Sequence, residues 1–224
     1  MCGEKVGLPM WLKICGLTQP EQVVAIAAMG VSALGVIGVP KTPRYVTPKK
    51  MGSLNQALRS THTGIPMVAV VMNPEEVLVA ELVEGWGLGG LQLHGQEPPE
   101  VCAQIRRCYP SLLLIKGLRP RHQAELAQGK AYAPWVDFLL VDAYHPQQAG
   151  GTGQTGNWEL LESWDPPCRW ILAGGLNRIT LPQALARLQP DGVDLSSGVE
   201  TSPGIKNLGK VAEIVEIVTG RYTP

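Results

Sequence analysis

In the stretch LKICGLT, residues 12–18, a cysteine stands where a short apolar run gives way to a glycine, two residues after a lysine. A thiolate at Cys15 is a competent base. Residues two apart on a strand face the same side, so the Lys13 ammonium would favour that thiolate. The competing reading is a small buried hydrophobe, the usual place of a free cysteine, with Lys13 paired to a carboxylate, for which Asp194 is the obvious candidate. Asp142 closes a second apolar run, DFLLVD. A partly dry setting would raise its pKa and suit it to give a proton, although helix capping is the structural alternative. Cys15 as base and Asp142 as acid would form a proton-transfer pair.

Two further run ends are suited to an anion. LAGGLN places Gly174 beside Gly175, whose amides can turn toward a ligand with no Cβ in the way, and DLSSGVE adds Asp194, Ser196, Ser197 and Gly198. Singly these are ordinary turns; together they predict a phosphate grip. Arg44, in the proline-bracketed PKTPRYVTP, presents a fork suited to a carboxylate. His94 shares a strand face with Gln92 and is either a substrate contact or a structural histidine. Gly150, Gly151, Thr152 and Gly153, in HPQQAGGTGQTGNW, read as a flap over the site. That GGTG lacks the spacing of a dinucleotide fingerprint, and the four histidines are too scattered for a metal site. Neither cofactor nor metal is expected.

The elements that must position these residues alternate in kind. Apolar β-like runs at 12–15, 33–37, 66–72, 90–94, 111–116, 137–142, 169–173 and 192–196 are separated by helical patterns at 48–59, 74–84, 98–108, 121–128, 158–162, 179–188 and 208–218, and by TQPEQVVAIAAMG after the first. Thr18 with Glu21 has capping-box spacing, and Thr47-Pro48 and Asn73-Pro74 read as helix starts. Strands alternating with helices call for a parallel sheet, and eight units in a chain of 224 residues predict an α/β (β/α)8 barrel, with an open doubly wound sheet as the alternative. Run ends then converge on one rim, expected to hold Cys15, Arg44, His94, Lys116, Asp142, Gly174, Gly175, Asp194, Ser196 and Ser197.

Nineteen basic and nineteen acidic side chains give zero net charge, which points away from nucleic acid and anionic membranes and toward a small substrate. The five cysteines are odd in number and without CxxC pairs, which fits a reducing cytoplasm. Neither a membrane span nor a signal peptide is expected. Residues 1–9 read as an irregular extension and 10–224 as one domain. No obligate protein partner is evident.

KICGLT, PKTPRYVTP, LQLHGQE, LLVDA with GGTGQTGNW, LAGGLN and GVDLSSGVETSPGIK, in this order along nearly the whole chain, resemble the phosphoribosylanthranilate isomerase family of tryptophan biosynthesis. The resemblance implies a (β/α)8 barrel performing an Amadori rearrangement without a cofactor. It implies that Asp142 protonates the ribose ring oxygen and Cys15 removes the C2' proton. Arg44 would hold the anthranilate carboxylate, and Gly174, Gly175, Ser196, Ser197 and Gly198 the phosphate. Two stretches depart from the family's habit: GVIGV stands where aromatic residues are common, and GNW where an Asp precedes the tryptophan. With no fused synthase domain the chain is expected to be monofunctional. The alternatives are another phosphosugar aldose-ketose isomerase barrel, or a phosphosugar-binding barrel without activity.

Overall fold

The computed structural model describes residues 10–62, 64–143 and 158–220. Eight parallel strands follow chain order: β1 (Trp11–Ile14), β2 (Ala33–Ile37), β3 (Met67–Val71), β4 (Gly90–Leu93), β5 (Leu113–Leu118), β6 (Phe138–Asp142), β7 (Trp170–Ala173) and β8 (Gly192–Leu195). They form a closed barrel, with β8 returning to β1 so that Lys13 lies opposite Asp194. That pairing excludes an open doubly wound sheet. Strand alternation divides the core into two shells. Leu12, Ile14, Leu91 and Leu93 pack outward against the helices. The barrel interior is filled by Ala33, Val68, Ile115, Phe138, Leu140 and Ile171, with the Trp11 and Phe138 rings 5.0 Å apart. The interior is a packed plug, and chemistry is confined to its upper rim.

The covering helices are α1 (Pro20–Ala27), α2 (Pro48–Arg59), α3 (Glu76–Ala80), α4 (Pro99–Cys108), α5 (Gln123–Ala127), α6 (Gly129–Tyr132), α7 (Trp158–Glu162), α8 (Thr180–Arg187) and α9 (Leu208–Val218). Pro48 opens α2 as expected, and the Thr47 hydroxyl accepts from the Lys50 amide at 3.3 Å. Two expected caps are not caps. The Thr18 hydroxyl donates to the Gly204 carbonyl at 2.7 Å instead of capping α1. Asn73 adopts a positive φ of 45° and its Oδ1 accepts from the Gln96 amide at 2.9 Å, so α3 begins only at Glu76. In both cases a partner distant in sequence takes the short polar side chain.

Strand β5 corrects the expected rim. It runs on to Leu118, so Arg119 and not Lys116 stands at its end. Lys116 is buried with its Nζ 2.8 Å from Glu97 Oε2 and donating to the Gly95 carbonyl at 2.8 Å. After β8 come a short 3-10 turn (Ser197–Val199) and a hairpin of β9 (Glu200–Ser202) and β10 (Ile205–Lys206), which the helix-and-strand pattern did not show. Gln22 on α1 ties down the hairpin, its side chain exchanging 2.7 Å and 2.9 Å bonds with the Lys206 backbone. Residues 1–9 and the glycine-rich segment with Gly150, Gly151, Thr152, Gly153 and Asn157 lie outside the described residues.

Candidate active site

The strand ends enclose a cavity of about 480 Å³ at the top of the barrel. Cys15, Arg44, His94, Asp142 and Asp194 line it, as do Gly174, Gly175, Ser196 and Ser197. Every rim residue expected from sequence except Lys116 is therefore brought to one place. Gly198, one residue deeper in the 3-10 turn, is not on the cavity wall but is required there: a Cβ would fall 1.9 Å from the Leu176 carbonyl oxygen. Thus its part in the grip is to let two loops meet.

Cys15 follows β1 directly and its amide donates to the Leu195 carbonyl at 2.8 Å. The thiol seats against Gly35 of β2, where a Cβ would lie 2.7 Å from Sγ. Beneath it, Lys13 is fully buried with its Nζ 2.7 Å from Asp194 Oδ1. Burial alone would lower the pKa of that ammonium, and the Asp194 and Cys15 charges outweigh burial and leave it raised. Lys13 acts on Cys15 in the expected direction, but burial outweighs it. Burial pushes the thiol up, and the Lys13 and Lys206 cations only reduce that rise, with Asp194 adding to it.

Lys13→Met is therefore expected to raise the Cys15 pKa further and to lower activity at neutral pH, because less thiolate is present. Site-resolved alkylation of Cys15 across pH checks this, the midpoint moving upward in the variant. Loss of the buried partner of Asp194 should also cost about 3–5 kcal/mol of stability.

Asp142, at the end of β6, lies 3.8 Å from Arg119 Nε and 4.0 Å from His94 Nε2. Strands β7 and β8 separate it from Cys15, so acid and base approach the cavity from different sides. His94 is held neutral, its pKa brought down to about 3 by burial first and then by Arg119, Lys13 and Lys116. It cannot supply the proton near neutral pH.

The anion grip is built from consecutive turns. Gly174 and Gly175 have φ of 94° and 66°, where a side chain would be strained. Thr180 steadies the turn, donating from its hydroxyl to the Gly175 carbonyl at 3.0 Å, while Asn177 Oδ1 accepts from the Ile179 and Thr180 amides. Among the described residues no backbone hydrogen bond takes up the amides of Gly174 or Gly175, and Ser197 and Gly198 open the 3-10 turn, where backbone amides have no partner within the helix. Amide donors on two adjacent loops with glycine at their centre form a concavity suited to phosphate.

Arg44 sits in a proline-bracketed loop, and its guanidinium is restrained by Glu200 on the β9–β10 hairpin. Arg44 Nε donates to Glu200 Oε1 at 2.9 Å and Nη2 to Oε2 at 2.6 Å. Glu200 Oε1 also accepts from Lys206 Nζ at 2.8 Å, and Lys206 Nζ reaches the Ser196 carbonyl at 3.2 Å. Burial opposes the Glu200 charge, but the bonds from Arg44 and Lys206 prevail and hold its carboxyl below the usual range. One carboxylate thus links Arg44 to the serine loop, and the two lie side by side over Gly16, where a Cβ would come within 2.7 Å of Arg44 Cδ and 2.9 Å of Ser196 Oγ. The sequence signal for this was the Pro203-Gly204 turn between Glu200 and Lys206, the mark of a hairpin.

Glu200→Ala is expected to release Arg44 and raise KM about tenfold, the loss of roughly 1.4 kcal/mol of binding, with a smaller change in kcat. Steady-state kinetics beside Glu200→Gln, which keeps the acceptor oxygen, checks it. The alanine effect should exceed the glutamine effect.

The remaining wall is aliphatic: Ile37, Val39, Val70 and Leu140 face the cavity, the first two in the stretch where aromatic residues were noted as the more usual choice. They offer a planar apolar group a dry surface beside Arg44. Arg119 and Gln92 also line the cavity; Arg119 escapes the sequence pattern because the apolar run of β5 ends before the strand does.

A closed parallel barrel with a thiol, a carboxyl and an anion grip on one rim cavity defines the class as a phosphosugar-handling barrel equipped for proton transfer. Comparison with known proteins gives the particular member of that class. The family described as N-(5'phosphoribosyl)anthranilate (PRA) isomerase matches residues 12–217, and the chain belongs to it. The chain is 50% identical over 204 residues to an N-(5'-phosphoribosyl)anthranilate isomerase of Thermosynechococcus vestitus, covering 91% of this chain and 87% of that one. Among solved structures, the phosphoribosyl anthranilate isomerase of Thermotoga maritima superimposes with a TM-score of 0.82 at 28% identity, covering 94% and 99% of the two chains. A phosphoribosyl anthranilate isomerase in complex with reduced 1-(o-carboxyphenylamino)-1-deoxyribulose 5-phosphate matches at a TM-score of 0.80 and 25% identity, over 94% and 99%.

Proposed function

We propose that this chain catalyses the Amadori rearrangement of N-(5'-phosphoribosyl)anthranilate to 1-(2-carboxyphenylamino)-1-deoxyribulose 5-phosphate in tryptophan biosynthesis. The observation that carries the reading is the presence of Cys15 and Asp142 around one cavity with the glycine-serine loops and Arg44, in a chain of this family. Asp142 gives its proton to the ribose ring oxygen as the bond from that oxygen to C1' breaks, and the anthranilate nitrogen supplies the electron pair that makes the Schiff base. The Cys15 thiolate then takes the C2' proton, and its electron pair moves into the C1'–C2' bond to neutralise the iminium. The resulting enolamine gains a proton at C1' and loses one from the C2' hydroxyl to give the ketone. Overall the ring oxygen and C1' each gain a proton while C2' and its hydroxyl each lose one. No external oxidant or reductant is needed.

Arg44 takes the anthranilate carboxylate, the aliphatic wall its ring, and the Gly174, Gly175, Ser196, Ser197 and Gly198 loops the phosphate. Asp194 contributes by holding Lys13 under the thiol, and His94 lies beside the acid. Residues 10–224 act as one catalytic domain. The reaction is placed in the cytoplasm, which free thiols at Cys15, Cys102, Cys108 and Cys168 favour; no helix among the described residues is long and apolar enough to cross a membrane. Freshly made phosphoribosylanthranilate should lose its fluorescence on adding the purified protein. A correctly folded protein that leaves the fluorescence unchanged would refute the assignment, and one that binds the reduced product without turnover would be a phosphosugar-binding barrel instead.

A further inference from the structure

His94 is held more closely than a wall residue requires. Gln92, two residues earlier on the inward face of β4, is 3% exposed and its Nε2 lies 3.1 Å from His94 Nδ1. From the neighbouring strand β5, Gly117 makes room for the ring: a Cβ there would fall 2.1 Å from Nδ1. The other ring nitrogen is 4.0 Å from Asp142 Oδ2. A neutral imidazole has one N–H and one bare nitrogen, and its neighbours decide which is which. An Asp142 carboxylate calls for the N–H on Nε2, and the amide N–H of Gln92 calls for the bare nitrogen at Nδ1. The two demands agree. Gln92 Oε1 is buried and has no hydrogen-bond partner among the described residues.

We propose that Gln92 is a positioning residue that sets His94 as the tautomer protonated on Nε2, so that the ring donates toward Asp142 and the sugar oxygen it protonates. The role rests on the reading of Asp142 as the acid. Once Asp142 has given up its proton, an N–H facing it stabilises the carboxylate; in the other tautomer a lone pair would face that charge and oppose the step.

Long-range proton–nitrogen correlation spectra of the labelled, substrate-free enzyme read the tautomer directly, with His94→Asn identifying the resonances. Nδ1 of His94 is expected to appear as the bare nitrogen. In Gln92→Glu the new carboxylate accepts from Nδ1, moving the proton there, and kcat should fall about tenfold while KM stays within about twofold, an effect confined to the barrier. Gln92→Met, which keeps the length and removes the donor, should give a mixture of tautomers and an intermediate kcat. It also serves if the glutamate variant does not fold. A wild-type ring protonated on Nδ1, variants that leave the tautomer unchanged, or a switched tautomer with unchanged kcat would each overturn the proposal. Because the spectrum needs no substrate, failure of the reaction assignment would show separately, as absence of wild-type turnover.

Discussion

Cys15→Ala is expected to lower kcat by about 10²–10⁴-fold, the contribution a positioned general base makes, while leaving the binding of the reduced product within a few-fold. The thiol is 5% exposed and touches no groups of the proposed carboxylate or phosphate clamps by hydrogen bond, so its removal takes away the proton acceptor and little else. Losing one buried sulfur should cost about 1 kcal/mol, or roughly 2–4 °C in Tm for a chain of this size. In the wild type the same assignment predicts a pH profile. Burial pushes the thiol up and Lys13 restrains it, so below that pKa the thiolate fraction, and with it kcat/KM, should climb about tenfold per pH unit. A profile flat with pH, or an alanine variant with near wild-type turnover, would remove Cys15 from the reaction.

The second large effect is expected from Asp142→Asn. The amide fills the same space and cannot transfer a proton to the ring oxygen, so kcat should again drop by about 10²–10⁴-fold. The side chain is partly exposed at the rim and Arg119 stands 3.8 Å away, an ion pair worth only about 0–1 kcal/mol to the fold. Tm should therefore hardly move. Activity with the intact fold separates a chemical role from a structural one, and titration with the reduced product separates both from binding. In the proposed sequence the acid opens the ring before the base acts, so a substrate analogue already in the open form should restore part of the Asp142→Asn rate and none of the Cys15→Ala rate.

The two variants also divide the alternatives. A phosphosugar-binding barrel without activity would show the same affinity in the wild type and both variants and no turnover in any. Another aldose-ketose isomerase would use the same acid and base on a different sugar. The aliphatic floor of Ile37, Val39 and Val70 next to Arg44 favours a substrate with an apolar ring and a carboxylate.

Much of this protein was legible in one dimension. Helices α2 and α9 begin and end where proline, Thr47 and the apolar period placed them, because those signals act over a few residues of chain. The eight apolar runs and their order were enough to call for a barrel. Cys15, His94, Asp142, Gly174 and Ser196 could be picked out because a parallel barrel sends every strand end to the same rim. What the chain could not reveal was how residues far apart in sequence meet. Thr18 and Asn73 look like caps, and only the packed fold shows their partners at Gly204 and Gln96. Whether Lys13 or burial governs the Cys15 thiol depends on how much water the closed barrel excludes, a quantity without a local signature. Glu200 reaches Arg44 across 156 positions of sequence, and Gln92 meets His94 in a geometry that depends on Gly117 of another strand. Local signals are written residue by residue, whereas contacts and desolvation exist only once the strands have closed.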